Sequence, residues 1–108
     1  MTAAMPTTVA DFIETVNRHD EQGFLNAFAE DGFVDDWGRV FTGRDEIKAW
    51  SDKEFIGATG TMTVTDTHVD GDRVTVIADW RSTHANGLSK FVFDVAADKL
   101  ASMTIREG

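Results

Sequence analysis

Asp36 and His84 are the two side chains best suited to move a proton. Asp36 stands in the run Phe33-Val34-Asp35-Asp36-Trp37. A carboxylate desolvated by Trp37, Phe41 and an aromatic sheet face holds a proton more readily, which suits a general base. The plainer role for the same residues is that Asp35 or Asp36 caps a turn at a rim. His84 falls at the end of a strand-like segment near Ser82 and Ser89, where an imidazole can accept or donate a proton at neutral pH. An exposed turn histidine fits that position equally well. The three histidines, His19, His68 and His84, lack the close pairing that ligates metal, and there is no cysteine. No metal or other cofactor is expected, and thiolate chemistry is excluded.

The elements that would position these groups can be read from periodicity. Residues 1–6 form a short disordered lead, and residues 7–108 form a single domain. Thr8 and Asp11 have capping-box spacing ahead of Val9, Phe12, Ile13 and Val16, which share one helix face. Asp20 can cap a second helix whose buried stripe is Phe24, Leu25 and Phe28, ended by Asp31-Gly32. Phe33 to Trp37 reads as a brief strand. Thr42 and Asp45 repeat the capping spacing before a third helix with Ile47, Trp50 and Phe55 inward, stopped by Gly57 and Gly60.

Four segments rich in Val, Thr and aromatic residues follow, roughly 61–69, 73–84, 88–96 and 100–105. Two-residue turns at Asp70-Gly71 and Asn86-Gly87 would set Val69 opposite Asp72, Thr67 opposite Val74, and Trp80 opposite Phe93. One face then collects Val74, Val76, Ala78, Trp80, Phe91, Phe93 and Val95 with four threonines. A three-residue last corner adds Met103 and Ile105 to it. The other face carries Met62, Val64, Ile77 and Val92 among charged residues, with Asp79 opposite Asp94, an unfavourable pairing unless a cation lies between. The fold class is α+β: a cone in which two or three N-terminal helices pack on a curved antiparallel sheet of four to five strands.

Bulk composition narrows the partners. At 108 residues and 42% apolar, the chain can bury one core. A net charge of −9 without a basic cluster argues against nucleic acid and anionic membrane surfaces. The N-terminus lacks the pattern of a secretion signal and no stretch has the apolar length of a bilayer span, so a cytoplasmic location is expected.

The order of these elements, with Asn17 and Asp20, then Asp31, Val34 and Asp36, then Phe41-Thr42-Gly43-Arg44-Asp45-Glu46-Ile47 and Gly71-Asp72-Arg73-Val74, resembles the nuclear transport factor 2-like superfamily in its SnoaL-like and ketosteroid-isomerase-like branch. The resemblance covers about residues 7 to 106. It implies that Asp36 matches the proton-shuttling base of ketosteroid isomerases. The two oxyanion donors of those enzymes have no counterpart: the first-helix position is Phe12, the strand position falls near Ser89 or Lys90, and the chain has no tyrosine. Asp79 and Arg81 are similar in type only to the water-activating pair of limonene-epoxide hydrolases, and fall on the outer face.

Two functions fit. One is a pocket for a small apolar or amphipathic ligand, with Asp36 and His84 as catalytic groups and Phe12, Trp37, Phe41 and Trp50 as walls. Trp80, Phe91, Phe93 and Met103 would line the sheet side, and the chemistry would be proton abstraction beside a carbonyl or a cyclisation. The other is a noncatalytic module with a filled cup. A homodimer through the convex sheet face is expected in either case.

Overall fold

The computed structural model describes residues 5–108. The elements run α1 (Thr7–Asn17), α2 (Glu21–Asn26), β1 (Phe28–Asp36), β2 (Arg39–Thr42), α3 (Gly43–Glu54), β3 (Thr61–Asp70), β4 (Arg73–Arg81), β5 (Gly87–Ala96) and β6 (Lys99–Glu107). Of the expected disordered lead, residues 1–4 lie outside the described residues. Met5 packs against the core, and the Pro6 carbonyl accepts from Val9 and Ala10 N–H at the start of α1. Pro6, not Thr8, is therefore the cap, and among the described residues no side chain caps this end. Asp20 does cap α2, its Oδ1 accepting from Gly23 N–H at 3.1 Å. Thr42 stands at the N-cap of α3, but the side-chain bond there comes from Glu46, whose Oε1 accepts from Thr42 N–H at 2.9 Å.

The six strands make one sheet in the order β2-β1-β6-β5-β4-β3. It is antiparallel except where β1 runs parallel to β6. One expected strand is longer than its sequence suggests and one strand is additional. Phe28 leaves the second helix and begins β1, still fully buried, and Arg39 to Thr42 pairs back on β1 across a Trp37-Gly38 turn. Both turn residues have positive φ, 54° and 92°. Glycine tolerates this freely, while a tryptophan there is uncommon.

The concave face is the one the turn signals implied, although its β3–β4 and β4–β5 pairings are not. β4 stops at Arg81, so Trp80 lies opposite Gly87, not Phe93, and Val74 takes Phe93. The slip is an even number of residues. Facing therefore survives, and Trp80 and Phe93 point the same way. The first hairpin turns at Gly71-Asp72, which pairs Val69 with Val74, and an irregularity between Val64 and Asp66 brings Met62 opposite Trp80 and inside. Met62 was expected outside. The last corner holds only Ala97 and Asp98, and a bulge beyond Val95 supplies the extra residue that sets Met103 opposite Phe93 and Ile105 opposite Phe91. Asp79 does not face Asp94. Asp94 pairs with Arg73, whose Nε donates to it at 2.9 Å, and Asp79 lies beside Leu88.

The helices close the cup. Asn17 at the end of α1 both donates to the Met62 carbonyl (2.9 Å) and accepts from Met62 N–H (2.7 Å), fastening the helix to β3. Arg44 of α3 donates to the carbonyls of Leu25 and Phe28, tying α3 to the α2–β1 junction. Gly60 marks a close approach of the loop to the sheet: a Cβ there would fall 1.9 Å from Cη2 of Trp80. Trp80 is stacked on Phe55 with centroids 4.5 Å apart. Gly60→Ala is expected to cost about 1–3 kcal/mol through overpacking, measured by urea unfolding; unchanged stability would contradict this contact.

Candidate functional site

The deep end of the cone is solid. Phe12 meets Phe24, Phe28 and Phe93 with ring centroids 5.4 to 5.7 Å apart, and Phe93 and Met103 are fully buried. These three of the expected pocket walls, Phe12, Phe93 and Met103, do not line the cavity beside Asp36; they belong to the core beneath it. Toward the mouth Trp50, Phe55 and Trp80 form a continuous stack at 5.0 and 4.5 Å. Phe41 lies on the outer side of Trp50 at 5.9 Å, away from the cavity.

Above that stack opens a cavity of about 300 Å³, lined by Asp36, Trp37, Arg39, Trp50, Glu54, Phe55, Trp80, His84, Ala85, Ser89, Phe91 and Ile105. It contains Asp36 and His84 and, of the expected walls, Trp37, Trp50, Trp80 and Phe91. All three tryptophans of the chain are among them. Trp37 is the exposed one, at 60% of its surface, and stands on the turn at the rim.

Alternation along β1 separates the two neighbouring aspartates. Asp35 points outward and performs the turn-capping role: its Oδ1 accepts from Gly38 N–H at 2.8 Å, and Arg106 reaches both its oxygens at 3.1 Å. Asp36 points inward and is buried. Its Oδ2 accepts from the indole N–H of Trp50 at 3.0 Å and from Arg39 Nη2. Arg39 also forks onto Glu54, with Nη2 2.6 Å from Oε1 and Nη1 3.0 Å from Oε2. His84 Nε2 lies 3.2 Å from the same Glu54 Oε1. Asp36 and His84 are thus linked through Arg39 and Glu54, two residues that sequence reasoning missed. Arg39 follows Asp36 by three positions across a glycine-containing turn, which is hairpin spacing and the signal that could have found it. Glu54 closes α3 fifteen positions away, and nothing local marks it.

His84 sits in a loop, not on the strand. Ser82 Oγ accepts from His84 and Ala85 N–H and donates to the Ala85 carbonyl, while Thr83 N–H bonds the Ala58 carbonyl. The loop is therefore a tethered turn that holds the imidazole over the cavity mouth.

Several carboxylates depend on cation partners. Hydrogen bonds from Arg106 hold Asp35 below the usual carboxylate range, those from Arg39 do the same for Glu54, and those from Arg73 for Asp94, in each case against opposing burial. A folded-state pKa below the unfolded one stabilises the fold above the unfolded value and is lost as pH falls through the folded one. Melting temperature is expected to hold from pH 7 to about 5 and to drop steadily below about 4. A melting temperature unchanged down to pH 3 would contradict these pairings.

A protein-family model for a SnoaL-like domain matches residues 9–103. Among curated proteins none matches. Among solved structures, the epoxide hydrolase/cyclase-like enzyme SalBIII, of pyran ring formation in the polyether salinomycin, is 22% identical with a TM-score of 0.84, covering 94% of this chain and 88% of that one. A protein from Sphaerobacter thermophilus is 26% identical with a TM-score of 0.79, covering 95% and 96% of the two chains. Rv0760c from Mycobacterium tuberculosis, in complex with estradiol-17beta-hemisuccinate, is 19% identical with a TM-score of 0.79, covering 94% and 91%. The three helices on a six-stranded, mostly antiparallel sheet and the match over residues 9–103 agree: the chain belongs to the SnoaL-like domain family.

Proposed function

We propose that the cavity beside Asp36 binds a small, mostly apolar carbonyl compound and that Asp36 takes a proton from the carbon next to the carbonyl. The single observation that carries this reading is the inward carboxylate of Asp36, oriented on one oxygen by Trp50 and Arg39 and lining an open space of about 300 Å³. That volume stands at the lower end for small-molecule sites, and aromatic walls around a few converging polar groups are their usual make-up. His84, at the mouth, is placed to exchange protons with solvent. Solved relatives that hold a steroid derivative or take part in ring formation support a small-molecule role for this fold. The test is solvent deuterium incorporation into 2-tetralone beside its carbonyl, followed by proton NMR. Incorporation faster than buffer, in proportion to protein concentration, is expected; incorporation at the buffer rate would end the catalytic reading.

The convex face supports pairing of two copies. Phe33, Val40 and Leu88 are exposed by 37%, 55% and 51%, while charges nearby are already partnered as Asp35 with Arg106 and Arg73 with Asp94. Apolar residues among self-neutralised charges suit a sheet-to-sheet homodimer. Sedimentation at micromolar concentration is expected to give twice the chain mass of 11.9 kDa, and a monomer would exclude it.

A further inference from the structure

The charges lining the cavity do not balance. Arg39 is the only lysine or arginine in its lining, against two carboxylates, Asp36 and Glu54. Its guanidinium is already committed to the protein: Nη1 to Glu54, Nη2 shared between Glu54 and Asp36, and the plane 5.7 Å from the Phe41 ring. Among the described residues, a ligand anion entering here would meet no cation that is not already paired. With His84 counted as neutral the lining carries one net negative charge, inside a chain of net charge −9.

The oxygens tell the same story. Both bonds to Asp36 fall on Oδ2, and Oδ1 accepts from none of the described residues. Among the described residues no buried side-chain nitrogen or oxygen is left unpartnered, so Oδ1 is reached by the open space of the cavity. A carboxylate oxygen in such a place is an acceptor waiting for a donor from the ligand. Around it stand the rings of Trp37, Trp80 and Phe91, whose faces attract a cation, tryptophan most of all. Beneath it the Trp50-Phe55-Trp80 stack bounds the space and limits depth.

We infer that the cavity also takes a cation, in competition with the carbonyl compound and in preference to an anion: a protonated amine on a flat body of one or two rings, its ammonium donating to Asp36 Oδ1, the oxygen the proposed proton transfer uses, and its rings lying against Trp80 and Phe91. This rests on the proposed small-molecule reading of the cavity and adds to it the charge and size of what enters. A carboxylate on the same body would be rejected, since it would face Asp36 and Glu54 with the one guanidinium already engaged.

Three probes of one shape separate the outcomes: 2-naphthylmethylamine, 2-naphthylmethanol and 2-naphthoate, titrated into nitrogen-15-labelled protein at pH 7. The indole N–H signals of Trp37, Trp50 and Trp80 report directly, because all three line the cavity. The amine is expected to bind at least tenfold more tightly than the naphthoate, with the alcohol between them, and high salt should narrow the gap. Asp36→Asn and, separately, Glu54→Gln should each cut the amine-to-alcohol preference severalfold while the alcohol still moves the indole signals, which shows that the variant is folded. Naphthoate binding as tightly as the amine, or an amine preference unchanged in both variants, would overturn the charge selection and leave the small-molecule reading standing. Silence of the indole signals toward all three probes would overturn that reading and this inference with it.

Discussion

Asp36→Asn should lower the rate of carbonyl-adjacent proton exchange by about a hundredfold or more, the usual contribution of a positioned general base. The substitution keeps the shape of the side chain. Its amide oxygen can still accept from the Trp50 indole or from Arg39, so the floor of the cavity and the α3 packing should persist. What disappears is an oxygen able to take the proton. Melting temperature of the variant should therefore stay near that of the wild type while exchange falls to the buffer rate, as read by NMR on the same samples. Equal exchange by both proteins would assign the base elsewhere, and His84→Gln would then be the informative comparison.

Phe93→Ala has the largest expected effect on the fold. Phe93 is completely buried at the centre of the sheet, opposite Val74 on β4 and Met103 on β6, with the Phe12 ring edge-on at 5.4 Å. Truncation leaves a void ringed by elements that are fastened in place by Asn17 and Arg44, so collapse around it is limited. Such a change costs about 3–5 kcal/mol. Domains of this size hold only about 5–15 kcal/mol in total, so the loss is a large share. Urea unfolding should show the midpoint move sharply at constant slope. A midpoint shift equivalent to less than about 1 kcal/mol would mean that Phe93 is not the keystone of the helix-to-sheet contact.

The facing of the sheet was legible because side-chain alternation has a period of two. Every hairpin register proposed from the turns was displaced at some point, yet Trp80, Phe91 and Phe93 still share the concave face, since the β4–β5 slip was even. Where the displacement was odd the reading failed: the later turn of the first hairpin shifts its pairing by two and keeps facing, but the irregularity near Thr65 then shifts it by one and turns Met62 inside. Such irregularities leave no mark in a hydrophobic pattern. The strand from Arg39 to Thr42 was hidden for another reason: it has four residues, and its Phe41 and Thr42 merge with the capping signal of α3.

The site was legible in part for a related reason. Inward placement of Asp36 follows from its position in β1, and the aromatic character of the walls follows from composition. Which aromatics fill and which line could not be read, because that depends on how deeply α1 and α2 descend: Phe12 goes to the core, whereas Trp37 remains at the rim. The Arg39 bridge between Asp36 and Glu54 is a tertiary contact between β1, β2 and the end of α3. Local pattern carries nothing of it beyond the hairpin spacing of its first pair.

The most direct measurement is the position of 2-tetralone in a crystal of this protein soaked with it. The ketone is expected between Trp80 and Phe91, with a carbon next to its carbonyl about 3–3.5 Å from Oδ1 of Asp36, the separation at which a proton can pass. A ketone lodged elsewhere on the molecule, or Trp37 folded down so that the space beside Asp36 is closed, would contradict the account.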